Sequence, residues 1–134
     1  MLTEKDYCDK YLSLALKEAG YIGQGRCYYD LDKEPNKLRH FGIQVLTTRS
    51  AEALNFVLAV HLYDAQKWLR EEKKIEVNAT YDNIVELHWH WYMKSLTNRN
   101  QYISIINHDS YEQALLAGIK EVVKILKENE TIHE

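Results

Sequence analysis

The chain has too few cysteines for a disulfide framework. Cys8 and Cys27 are the only two in 134 residues, so the fold has to rest on a hydrophobic core. Neither lies in a recognisable catalytic signature, and both are read as inert thiols packed in that core. No apolar run is long enough to cross a bilayer; the most apolar stretch, residues 56–60, is bounded by Asn55 and His61. Residues 1–20 lack the basic start, apolar centre and small-residue cleavage site of a signal peptide. The cytoplasm is therefore the expected location, with no membrane partner. Lysine and arginine form no stripe, and the net charge is −3 with neutral histidines. That argues against a nucleic-acid partner, because gripping phosphates takes clustered positive charge. Gly23-Gln24-Gly25 lacks the third glycine and the Lys-Ser/Thr pair of a phosphate-binding loop, and no strand precedes it. No serine–histidine–acid arrangement, internal repeat or low-complexity segment is legible.

What is present is the composition of an ordinary soluble domain, 46% hydrophobic and 28% charged, at a length that suits one domain with its own core. Residues 84–107 read as a β-hairpin. Val85, Leu87, Trp89, Trp91 and Met93 alternate with Glu86, His88, His90, Tyr92 and Lys94, the period of two of a strand with one buried face. Residues 96–100 have turn composition, and the return arm, 101–107, is rich in Ile and Tyr. The face carrying both tryptophans is expected to meet helices, with the histidines facing outward.

Around the hairpin the spacing predicts helices and shorter strands. Thr3 is the expected cap of a first helix whose stripe is Cys8, Tyr11, Leu12, Ala15, Leu16 and Ala19. Gly20 is placed to end it in the left-handed conformation, with Tyr21 and Ile22 folding back. Strands are expected at 26–31 and 38–47, joined by a polar turn that holds the only proline. Residues 50–74 admit two readings. One is a single helix capped by Ser50; the other has an extended piece within 53–60 and a helix from about His61. Periodicity favours the single helix. Extended structure resumes at 75–77, with a turn or irregularity at 78–83. Ser110 and Gln113 form a capping box for a last helix striped by Tyr111, Leu115, Ile119, Val122, Ile125 and Leu126. Gly118 lies on or beside that stripe; it costs ~1 kcal/mol in helix propensity and allows another element to approach closely. Residues 128–134 are expected to fray. Adjacent pairs of strands imply hairpins, hence a single α+β domain: a mostly antiparallel sheet of three to five strands packed against about three helices.

Three stretches carry a resemblance. They are Leu62-Tyr63-Asp64-Ala65-Gln66-Lys67-Trp68-Leu69-Arg70-Glu71 with Ile75-Glu76-Val77, Ser110-Tyr111-Glu112-Gln113-Ala114-Leu115-Leu116-Ala117-Gly118-Ile119, and Leu14-Ala15-Leu16-Lys17-Glu18-Ala19-Gly20-Tyr21. Each resembles a segment of small uncharacterised proteins of Bacteroidetes and their phages and integrated elements. These are packing motifs with no activity, cofactor or site residue attached. The resemblance implies an accessory protein of a bacterium or its mobile elements. The chain departs from that pattern before His61, where a Pro-Thr helix start is expected.

Two constellations could carry function. Glu86, His88 and His90 share one face of a strand, with neighbouring side chains ~7 Å apart at the backbone. Such a face can hold a divalent metal, zinc or iron, if His40, His61, His108 or Asp109 completes the set. The plainer reading is a solvent-facing strand side carrying polar residues. The second constellation comes from the ten tyrosines. Tyr28 and Tyr29, neighbours on a strand, must point to opposite faces, so one is expected to be exposed. With Tyr92 on the outer sheet face they could form a protein-binding patch. Trp68, Trp89 and Trp91 are read as core. An open edge of the sheet could pair with a second copy or another chain. The leading expectation is a non-enzymatic protein-interaction module with a homodimeric or other protein partner through the sheet. The alternative is a metal-binding protein or metal-dependent enzyme using Glu86, His88 and His90.

Overall fold

A computed structural model describes residues 4–33, 37–42, 44–82, 88–97, 100–104 and 108–133. The fold is α+β, with every strand pair antiparallel. The chain forms two compact units, Met1–His61 and Leu62–Glu134. Among the described residues, no helix is long and apolar enough to cross a membrane.

The first unit opens with a 3-10 turn, Glu4–Asp6, and helix α1, Lys10–Glu18. Asp9 caps α1, its carboxylate accepting from the Leu12 amide at 2.8 Å. Gly20, at φ +107°, turns the chain out of the helix. Short strands follow: β1 (Gln24–Gly25), β2 (Cys27–Asp30), β3 (Arg39–His40) and β4 (Leu46–Thr47). Helix α2, Thr48–Ala53, starts at a capping box between Thr47 and Ser50. Asn55, at φ 59°, then reverses the chain into β5, Phe56–Leu58. Strand β1 pairs with β4, and β2 lies between β3 and β5. The core here holds Cys8, Leu12, Leu16, Cys27, Tyr29, Val57 and Val60. Polar groups inside it are satisfied. The Ser13 hydroxyl donates to the Cys8 carbonyl and accepts from the Val60 amide, both at 3.2 Å. The Tyr29 hydroxyl donates to the same Cys8 carbonyl at 2.9 Å.

The second unit contains α3 (Leu62–Glu72), β6 (Ile75–Asp82), β7 (His88–Ser95), β8 (Gln101–Ile103) and α4 (Tyr111–His133). The sheet order is β6-β7-β8. The Ser110 hydroxyl accepts from the Gln113 amide at 3.1 Å, as the capping box requires, while the Gln113 side chain accepts from the Asp109 amide at 3.3 Å. α4 packs on β6 and β7 through Ala114, Leu115, Ile119 and Val122 against Val77 and Met93, all buried. At Gly118 the helix comes close to the sheet. A Cβ there would sit 2.8 Å from Val77 Cγ2 and 3.0 Å from Trp91 Cβ. Trp89 meets Tyr111 of α4 edge-on, ring centres 5.6 Å apart. The tryptophan face of β7 is therefore the helix-facing one.

Several sequence expectations need correction. The cap of the first helix is Asp9, and Cys8 precedes the helix. Tyr21 folds back and is buried, whereas Ile22 is 84% exposed. The strand expected over 38–47 is only β3 and β4; Gly42 turns between them at φ +58°, and Val45 is exposed. Residues 50–74 are not one helix: β5 intervenes between α2 and α3. Phe56-Val57-Leu58 is apolar on all sides because a strand beside β2 is covered on both faces, a pattern that periodicity alone cannot separate from a buried helix. Residues 78–82, expected as a turn or a strand irregularity, extend β6 to eight residues.

Candidate functional site

Of the three tyrosines expected to form a binding patch, Tyr29 is not available to a partner. Tyr29 is buried with its hydroxyl on Cys8, so it presents nothing outside. Tyr28 is half-buried, stacked on Phe56 at 4.2 Å with Phe41 edge-on at 6.1 Å. Tyr92 belongs to the second unit. It lies opposite Ile103 of β8, so these two side chains are cross-strand neighbours on the sheet face turned away from α4.

His88 and His90 share that outer face of β7, both half-buried. Glu86 lies outside the described residues. Among the described residues, no group of three or more His, Cys, Asp or Glu side chains converges as a metal site would need. His108 comes beside β7 through paired backbone bonds with Trp89, at 3.2 and 2.9 Å. Its Nε2 is buried and makes no hydrogen bond among the described residues. Burial, and then the neighbouring His90, hold His108 below the usual imidazole value of 6.5, against an opposing pull from Asp109.

The edge of this sheet was anticipated only in general terms. All three β8 residues are exposed, Tyr102 by 55% and Ile103 by 66%. The Ser95 amide donates to the Asn100 carbonyl at 2.9 Å, and the Ser104 amide to the Trp91 carbonyl at 2.9 Å. In an antiparallel ladder the bonded pairs alternate, so Tyr102 bonds Met93 while the amides and carbonyls of Gln101 and Ile103 point away from β7. The strand carries no charge or proline to blunt it. β6, at the opposite edge, is partly occupied: Gln66 of α3 donates to the Val77 carbonyl at 2.9 Å. Beside β8 is a cleft of about 420 Å³ lined by the apolar Ile75, Met93, Tyr102 and Ile125 together with Lys73, Ser95, Thr97, Asn100 and Asn129.

No protein-family model, curated protein or solved structure matches the chain. Function has to be argued from geometry.

The first unit holds one more cluster. Cys27 and His40 are cross-strand partners on β2 and β3, with Sγ 3.5 Å from Nδ1. The Cys27 thiol donates to the Tyr7 hydroxyl at 3.6 Å. The signal was available: strands predicted on either side of the polar turn, folded as a hairpin, bring residues 27 and 40 opposite each other. Cys8 differs. It is fully covered, and burial, with Asp9 adding to it, pushes its thiol up to about 12.

Proposed function

We propose that this chain is a non-enzymatic interaction module, an accessory protein of a bacterium or its mobile elements, that takes an extended segment of a protein partner alongside β8. The observation that carries the reading is the β8 edge, exposed along its three residues, with outward backbone donors and acceptors at Gln101 and Ile103. Strand addition draws affinity from such groups and specificity from pockets for alternate side chains. The adjoining cleft, lined by both apolar and polar groups, has room for one partner side chain, and Tyr92 with Ile103 offers a contact on the other face. Lack of edge protection distinguishes β8 from an ordinary sheet border, which is charged, interrupted or covered.

The test is selection of random displayed peptides on the purified protein. The selected peptides should slow amide exchange at Gln101 and Ile103. Ile103→Pro should abolish their binding while leaving the fold intact, because proline is tolerated where the lost N–H faces outward. Selected peptides that protect some other region, with Ile103→Pro binding them as well as wild type, would overturn the proposal. If light scattering finds a dimer that Ile103→Pro dissociates, the occupant of the edge is a second copy.

A further inference from the structure

We propose that the segment added alongside β8 places a glutamate opposite Tyr102, with its carboxylate taken by Lys73. This rests on the strand-addition reading above and names the chemistry of the partner. Register decides which partner side chain matters. Gln101 and Ile103 lie opposite Lys94 and Tyr92, on the sheet face turned away from α4. Tyr102 lies opposite Met93, which is buried on the α4 side. Residues directly opposite in a ladder share a face. A strand bonded to the outward groups of Gln101 and Ile103 therefore sends the side chain opposite Tyr102 to the α4 side.

That side holds the cleft. Ile75, Met93, Ser95 and Tyr102 line it from the sheet, and Ile125 and Asn129 from α4. Among the described residues, Lys73 is the one charged residue in the lining, and no carboxylate joins it. Lys73 is half-buried, and its ammonium lies over the Trp68 ring, 5.5 Å from the ring centre. It pairs with no carboxylate among the described residues. A ring face attracts the charge but accepts no strong hydrogen bond, so the N–H donors are left to water. Lys74 is an internal contrast: its ammonium donates to the Glu71 carbonyl at 2.8 Å. The cleft thus asks for an anionic acceptor on an apolar stem. Glutamate supplies both, its methylenes against Met93 and Ile125 and its carboxylate toward Lys73. Aspartate is one methylene shorter, and a basic side chain would meet a like charge.

The test is selection of random displayed peptides on folded wild type, with amide exchange at Gln101 and Ile103 read on the complexes. A glutamate at one fixed position of the selected peptides is expected. Replacing it by glutamine should weaken binding to wild type by at least ~10-fold, the lower range for a hydrogen bond to a charged group. Against Lys73→Met, which keeps the stem over Trp68, the same replacement should change binding less than ~2-fold, within the range of additive effects. Selection on Lys73→Glu should bring lysine or arginine to that position. Peptides that protect Gln101 and Ile103 yet carry no preferred acid, or bind Lys73→Met as tightly as wild type, would refute the glutamate assignment and leave strand addition standing. Peptides that protect neither residue would remove both. Should Lys73→Met fail to fold, the glutamate-to-glutamine exchange measured on wild type decides alone: undiminished affinity refutes the assignment.

Discussion

Among the described residues, no strand of the first unit is longer than four residues, whereas β6 and β7 of the second run eight each. The two units meet the same requirement, satisfying buried backbone, by different means. Short strands give short ladders, so the first unit relies on side chains. Ser13 and Tyr29 both serve the Cys8 carbonyl, Ser13 also serves the Val60 amide, and Thr48 accepts from the Gly23 amide at 3.0 Å. The second unit relies on one continuous eight-pair ladder, and on a helix brought close by an absent side chain at Gly118. Stability is concentrated in a few specific bonds in one region and distributed along a regular surface in the other.

The sharpest way to break this comparison is Gly118→Val. Its branched side chain enters space already held by Val77 and Trp91. Overpacking should cost about 3 kcal/mol, read as a lower urea midpoint with faster amide exchange in β6 and β7. An unchanged midpoint would mean that the close approach is unimportant. Next is Ser13→Ala, which removes the acceptor of the buried Val60 amide. A loss of about 1–3 kcal/mol is expected, with exchange quickened around Val60 and Cys8. Tyr29→Phe should cost less, about 1 kcal/mol, because the Cys8 carbonyl keeps its bond from Ser13. If Tyr29→Phe outweighs Ser13→Ala, the ranking of the two bonds is wrong.

The smallest effect is the pH dependence of the second unit. His108 is held below its ordinary value, so the unfolded chain binds its proton first as pH falls. Stability from this group is complete above pH 6.5 and declines as pH drops through that value, levelling once the folded form also protonates. His90 and Asp109, the facing groups, act in opposite directions and keep the effect modest. Melting temperature should fall on going from pH 7.5 to 5.5, and less steeply in His108→Asn. A parallel decline in that variant would assign the pH dependence elsewhere.

Legibility followed the same division. The hairpin, the tryptophan-bearing buried face, the Ser110 cap and the close approach at Gly118 could all be read in advance, because long regular elements repeat their pattern often enough to be recognised. The two- and three-residue strands could not. β3 and β4 hold too few residues to show alternation, and the apolar run at Phe56 is ambiguous between helix and strand. Sites fared worse than elements. Tyr28 and Tyr29 were separated correctly onto opposite faces, but which one is buried depends on Cys8, about twenty positions earlier in the chain. The imidazole beside Cys27 comes from another strand, so nothing in the residues next to the cysteine announces it.

The residues alone determined the α+β class, the antiparallel hairpin and the face of β7 that meets a helix. Each follows from patterns repeated over neighbours a few positions apart, and burial of apolar side chains enforces them locally. Only the tertiary structure decided that β8 is an exposed edge among the described residues, that His108 sits beside His90, and that the Cys27 sulfur has His40 and Tyr7 beside it. Those outcomes depend on which distant segments pair and in what register. Pairing energy is shared among many weak contacts, none of them announced by the residues nearby.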